Sequence, residues 1–454
     1  MLTKRPKQAI IRPGGKTMAP TSSTDPRIQF HTARQLLQNS KEATVSGRYQ
    51  QAAQLATDGL DMVDALPPSP ERDLLRWDLL LHRGRARFLM GDYAGLSDFQ
   101  TVRDHSSDPV QQAEALVGAA DCHNGMGSYA VAEEEYQTAL REAEASGSDI
   151  CRIRAWIGLG TLYWKQGRIE EAIRILNQAR SALQRTPDLY ELGRVLLGLG
   201  IAYDFAGQVE EAIAAYEDAL KCFRSLQDDH RTAAALNNVG EIYQELRDLD
   251  RALRYHEEAI RLASQSGADR ISVDITRNLG VDMLLMGRYS EAMLTLNQAL
   301  SQARAIRDKD LALQALYSLG DAFLRQGEVE RALAIARELA DEAAAIHSEL
   351  HAARARLLQG RAYLAQGDRS MAQNILQAAL GHAHAIPSRW LLWQLHAALG
   401  RATDDPQIAQ VHFRIAADFI HQIADPLSDP DLRSRFLSQP EIQAVIRRAE
   451  EPQP

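Results

Sequence analysis

Residues 159–179 read LGTLYWKQGRIEEAIRILNQA. The pattern returns as LGIAYDFAGQVEEAIAAYEDAL (199–220), VGEIYQELRDLDRALRYHEEAI (239–260), LGVDMLLMGRYSEAMLTLNQAL (279–300) and LGDAFLRQGEVERALAIARELA (319–340). The first glycines are Gly160, Gly200, Gly240, Gly280 and Gly320, and Gly360 and Gly400 continue the series at an unbroken period of 40. Upstream, Ala120, Gly84 and Ser40 take the same place at spacings of 40, 36 and 44. The longest spacing absorbs a proline-rich insert, ALPPSPERD (65–73). Self-similarity at a fixed period of this size marks a repeat array.

Each unit reads as two antiparallel helices. A second glycine follows the first by seven residues, at Gly91, Gly127, Gly167, Gly207, Gly287, Gly327 and Gly367, and supplies the left-handed turn that ends helix A. Arg247 replaces it once, with Asp248 and Asp250 available to carry that turn. The first glycine falls in mid-helix, where it costs roughly 1 kcal/mol against alanine. A cost repeated in unit after unit implies a gain, namely close approach of helix B to helix A. A small residue recurs five positions past the turn, at Ala52, Ala132, Ala172, Ala212, Ala252, Ala292, Ala332 and Ala372, where the two helices cross. A large apolar residue three positions after the first glycine (Tyr163, Tyr203, Tyr243, Met283, Phe323, Tyr363) shares its buried face.

In these residues the chain resembles the tetratricopeptide repeat family over about 30–420. Its units have 40 residues rather than the common 34, the excess lying at the end of helix B and the following turn. A single hairpin cannot bury its own apolar face, so neighbours must stack. The resemblance implies an all-α fold: a right-handed α-solenoid of about ten antiparallel helix pairs, with a concave groove lined by helix A. The expected organisation is a basic, then Pro/Ser/Thr-rich disordered tail over 1–28, the solenoid over 29–424, capping helices over 425–450 and a disordered end over 451–454.

Spacing places the groove two and three residues before the first glycine and one, four and five after it. The candidates are Asn237, Asn238, Glu241, Gln244, Arg277, Asn278, Asp321, Arg325 and Arg361. Asparagine is a mediocre helix former, but its amide donates and accepts, which suits the main chain of an extended peptide. In related arrays asparagines at such places bind peptide backbone. The alternative is a solvated face on which they bond water. Charge is segmented, acidic near 204–245 and more basic from 325 on, which suits a partner of mixed charge.

Net charge is −9 with pI near 5.8, against a general nucleic-acid binder. No apolar run reaches the ~18 residues of a membrane span. Three unpaired cysteines, Cys122, Cys151 and Cys222, suit a reducing cytoplasm better than a disulfide framework. The N-terminal segment lacks the apolar core of a secretory signal, and Met18 is an alternative start. RPGGKT (12–17) lacks the upstream glycine of a phosphate loop. His347 and His351 are spaced i, i+4, but no cysteine lies near, so packed or exposed histidines are expected rather than a metal site. No catalytic motif and no cofactor motif is present.

The last unit uses TDDP (403–406) in place of the turn glycine and is followed by SDPDLRSRFLSQPEIQAVIRRAEE (428–451). Pro430 and Pro440 each open a helix, with Leu432, Phe436 and Leu437, then Ile442, Val445 and Ile446, facing the array as a cap. This ending resembles the C-terminal arm of bacterial multidomain signalling ATPases, in which the arm serves as a sensor. The expected function is a non-catalytic scaffold that binds a protein or peptide segment. The alternatives are a detached sensor arm controlling an effector in trans, or a peptide-pheromone receptor.

Overall fold

The computed structural model describes residues 25–266, 269–383 and 388–451. Among them are twenty-two α-helices and no strand. Ten antiparallel pairs run in order: α1 (Pro26–Val45) with α2 (Tyr49–Asp64), α3 (Pro70–Leu89) with α4 (Leu96–His105), α5 (Pro109–Gly125) with α6 (Tyr129–Ser146), α7 (Asp149–Lys165) with α8 (Ile169–Leu183), and α9 (Leu189–Phe205) with α10 (Val209–Ser225). The second half holds α11 (Asp229–Glu245) with α12 (Leu249–Ser266), α13 (Asp269–Leu285) with α14 (Tyr289–Ala305), α15 (Lys309–Arg325) with α16 (Val329–Ala345), α17 (Glu349–Gln366) with α18 (Arg369–Ala383), and α19 (Arg389–Ala402) with α20 (Pro406–Ala424). Two short helices, α21 (Pro430–Leu437) and α22 (Pro440–Glu450), close the chain. The architecture is a right-handed α-solenoid.

Residues 1–24 and 452–454 lie outside the described residues. The first helix starts at Pro26 rather than at 29, because Asp25 caps it, accepting from the Arg27 N–H at 2.9 Å.

The mid-helix glycines are seats for helix B. A Cβ on Gly160 would meet Leu176 at 2.5 Å, on Gly280 Leu296 at 2.8 Å, and on Gly400 Phe413 at 2.9 Å. On Gly200 it would overlap the Tyr216 ring, and on Gly240 the imidazole of His256. Gly320 is the exception: Ala336 stands where the others have a large side chain, and Leu358 of the next unit fills the space. The short second unit replaces the first turn of its helix B by a 3-10 turn, Tyr93–Gly95, whose Gly95 lies against the Gly84 carbonyl.

At the A–B turn of the sixth unit, Arg247 itself takes the left-handed conformation, at φ 62°, and donates to the Gln244 carbonyl at 3.1 Å. Asp248 does not make the turn; it caps α12 through the Arg251 N–H. Three B–A turns also use a non-glycine in this region: Gln227, Arg307 and His347.

Successive superhelical turns touch. The turn at Gly47 lies against Asp228 and His230, and Arg231 donates to the Tyr49 hydroxyl, 182 residues away. Four units on, Gly207 lies against Arg389, and Trp390 donates to Asp204, 186 residues away. The period is therefore about four and a half units of 40 residues, so an A–B turn meets a B–A turn of the next coil. Where they meet, the concave face becomes an inner wall rather than an open trough.

The C-terminal helices cap the array and also reach back one coil. Phe436, Ile442 and Val445 are fully buried in one core with Trp393, Phe413 and Ile420, and that core continues into Val209, Tyr216, Tyr243 and Leu246. Polar contacts join the same surfaces: the Ser428 N–H to the Glu210 carboxylate, Arg251 to Asp429 at 3.5 Å, and Gln439 to the Glu245 carbonyl at 3.4 Å.

Candidate binding surface

The inner wall is built from helix A of each unit. Two of its register positions carry most of the charge. Six residues before the repeat glycine stand Arg154, Arg194, Asp274 and Arg354, with Glu114 at the same place in the third unit; one residue after it stand Asp121, Glu241, Asp321 and Arg361. Three clusters result.

The first gathers on Glu191, which is completely buried. Its carboxylate accepts from Arg85 Nη2 at 3.0 Å, Arg154 Nε at 2.7 Å and Arg194 Nη1 at 2.7 Å. Arg154 also reaches Glu114 at 2.7 Å. Burial alone would push Glu191 up, but Arg194, Arg154 and Arg85 outweigh it and hold the carboxyl well below its usual range. Burial pushes the nearby Asp121 carboxyl up, and the Tyr136 hydroxyl donates to it at 2.5 Å.

The second cluster spans α9 to α13. Burial pushes Asp204 up to about 7, with Glu241 and Glu245 adding repulsion. Glu241 pairs with Arg277 at 2.7 Å, and Arg277 also holds Asp274 at 3.0 Å. Glu245 is solvent-exposed, yet desolvation by the surrounding walls raises its carboxyl too, with Arg354 of a unit three places on close enough to oppose the rise.

The third cluster centres on Asp321, which accepts from Arg325 Nε at 2.6 Å and pairs with Arg361 at 2.9 Å. Burial opposes its ionisation, and Arg361 and Arg325 outweigh that to hold it below the usual range. The field of Glu441, from α22, reaches Arg361 and Arg325.

The nine sequence candidates therefore divide. Glu241, Arg277, Asp321, Arg325 and Arg361 fall in the second and third clusters. Asn238 is half-buried beside the Tyr216 hydroxyl. Asn237, Gln244 and Asn278 are buried and do not line the groove. Asn278 donates to Asn237 Oδ1 at 2.9 Å, Asn237 to Asp274 at 3.2 Å, and Gln244 to Asp282 at 2.7 Å and the Asn278 carbonyl at 3.0 Å. Asp282 in turn bonds His256 Nδ1 at 2.6 Å, with both groups fully buried. These amides stitch α11 to α13, because their register faces the neighbouring helix A rather than the superhelix interior.

The reading by spacing missed Glu114, Arg154, Arg194, Asp274 and Arg354, one helical turn further back. Charged residues at a fixed register in otherwise apolar helices were the available signal. His351 is buried, with Nε2 2.9 Å from Asp310, while His347 sits in the preceding left-handed turn. No helix of the described residues is long and apolar enough to cross a membrane.

Models of the tetratricopeptide repeat match residues 111–185, 151–225 and 231–305, and further models of the same repeat match 284–345 and 353–378. Among solved structures, a Rap protein complexed with competence and sporulation factor aligns with 92% of this chain and 99% of its own, at 14% identity and a TM-score of 0.54. The apo form of the quorum sensor NprR from B. thuringiensis aligns with 78% of this chain and 99% of its own, at 14% identity and a TM-score of 0.56. The Rap conjugation gene regulator of plasmid pLS20, in complex with the Phr* peptide, aligns with 79% of this chain and 95% of its own, at 16% identity and a TM-score of 0.51. At these identities the likeness is one of fold. No curated protein matches the chain in sequence.

Proposed function

The chain belongs to the tetratricopeptide repeat family, and from that premise we propose that it is a non-catalytic scaffold that binds a peptide or an extended protein segment along the inner wall of the superhelix. The observation that carries this reading is the wall itself. Stacking requires apolar and small residues, but the wall presents charged side chains unit after unit, and Glu245, Arg325 and Arg361 remain reachable from solvent. Mixed charge in a partly dehydrated channel suits a short segment of defined sequence, since an imperfect partner leaves charges unpaired. The Rap regulator of pLS20 was solved with a peptide, and its fold supports the same class of ligand here.

Random peptides displayed on phage and selected on the full chain, then measured by calorimetry, test this reading. Selected peptides should lose about tenfold or more in affinity with Asn238→Ala or Arg361→Gln. Peptides that bind both variants as tightly as the natural chain would contradict it.

A second reading, control of an effector in trans, draws on the C-terminal arm. The arm joins two coils, so a ligand that shifts one coil against the other would change the surface it presents. Peptide-dependent protease protection of 428–451 is the expected sign.

A further inference from the structure

A cleft of about 560 Å³ lies between two coils of the superhelix. Gly207, in the turn before α10, and Glu211 form one side; Arg389, Asp418 and Asp425, from α19 and α20, form the other. The volume falls within the roughly 300–1,000 Å³ of small-molecule sites. Two bonds between the coils flank it: Trp390, next to Arg389, donates to Asp204, and the Ser428 N–H donates to Glu210. Neither coil alone encloses the space. None of these lining residues belongs to the three charge clusters of the inner wall.

Opposite charges line this cleft without meeting. Arg389 is half-buried, and its side chain lies along the Gly207 turn, where a Cβ would meet its Cδ at 2.7 Å and its Nη1 at 3.1 Å. Among the described residues its guanidinium has no hydrogen bond and no ion pair, and neither have the carboxylates of Glu211 and Asp418. Burial lowers the Arg389 pKa, with the field of Glu170 opposing. Asp425 is already paired with Arg433 at 2.6 Å, so Glu211 and Asp418 carry the uncommitted negative charge. Helix ends add to both signs: Arg389 opens α19 at its positive end, and Asp425 follows the negative end of α20.

We propose that this cleft binds a small zwitterion of the amino-acid class, with its carboxylate on Arg389 and its ammonium between Glu211 and Asp418. A planar guanidinium matches a carboxylate, and the three donors of an ammonium suit two carboxylates. Such a ligand touches both coils at once, so it holds them together. It is distinct from the segment proposed for the inner wall.

The test is calorimetry of the full chain with leucine and with the dipeptide alanyl-leucine, each beside its N-acetylated and its amidated form. At least one zwitterion should bind saturably with Kd of about 1 mM or tighter, and the one that does sets the length of the ligand. Its two capped forms should bind about tenfold more weakly or worse, since each leaves a charge of the cleft unpaired. Arg389→Gln and Asp418→Asn should each weaken the zwitterion about tenfold. Neither side chain holds a partner in the fold, so both variants should keep their structure. Arg389→Gln should leave the amidated form as it was, which assigns the carboxylate to that arginine. Bound zwitterion should slow hydrogen exchange in 207–212 and 420–425 together. No saturable zwitterion, a capped form that binds as tightly, binding unchanged in both variants, or protection of one coil alone would overturn the proposal. Loss of binding in Arg361→Gln with full binding in Arg389→Gln would put the ligand on the inner wall and overturn it as well.

Discussion

The indole N–H of Trp390 donates to Asp204 Oδ1 at 3.3 Å across 186 residues of chain. The contact joins two coils of the superhelix. Phe436 of the C-terminal arm stands edge-on against the same indole, 5.7 Å between ring centres. The final helices therefore act as a clasp between coils as well as a cap on the array.

Asp204 makes the clasp sensitive to pH. Glu241 and Glu245 of α11 face it, and Trp390 supplies its donor. With its carboxyl raised from 3.8 to about 7, the closed state favours the proton. Its stabilisation is full below about 3.8 and is lost as pH rises to about 7. Asp204→Asn mimics the protonated form. Its melting temperature relative to the natural chain should rise from pH 5 to pH 7 and level off above; a difference independent of pH would contradict the assignment.

Glu191 has the opposite sense. Its depressed pKa gives stability that is present above about 4.5 and lost as pH falls through the lower folded value. Glu191→Ala removes the carboxylate that three guanidiniums share, leaving Glu114 opposite Arg154, and should cost about 3–5 kcal/mol in urea unfolding at pH 7. Glu191→Gln, which still accepts hydrogen bonds, should cost less.

Two glycines in helices should respond in opposite directions. Gly200→Ala drives a methyl into the Tyr216 ring and should destabilise by about 1–3 kcal/mol. A Cβ at Gly381, on α18, meets nothing within 4 Å, so Gly381→Ala should stabilise by about 0.5–1 kcal/mol. Denaturant midpoints of the two variants check the pair.

At the turn glycine's missing place, Arg247 holds a left-handed backbone that costs an L-residue roughly 1–2 kcal/mol. Arg247→Gly should raise the melting temperature despite losing the bond to Gln244. A lowered temperature would show that the side chain matters more than the backbone.

Phe436→Ala should loosen the clasp. The arm loses a fully buried ring, worth about 3–5 kcal/mol of packing. Hydrogen exchange should then accelerate in 204–251, a full coil away in sequence, as well as in α19 to α22. Acceleration confined to the terminus would reduce the arm to a cap.

Much of the fold was legible because its cause is local and repeated. Gly200 and Tyr216 stand sixteen residues apart in one hairpin, and the period alone exposes such a pair. Asn237 and Asn278 were legible as polar groove candidates but misplaced, because a residue two or three positions before the glycine can face either the interior or the next helix A. The rotation of each unit on the next, which no single unit displays, decides between them. Trp390 and Asp204 were beyond reach for the same reason: the coil pitch sums small rotations over four and a half units, and no spacing in the sequence records it.

The central claim is that the inner wall binds the ligand, and hydrogen exchange of the full chain with and without a selected peptide tests it most directly. Protection should appear in the A helices from α7 to α17, and the B helices α8 to α18 should exchange as before. Protection confined to the B helices, or to the outer turns, would contradict the account.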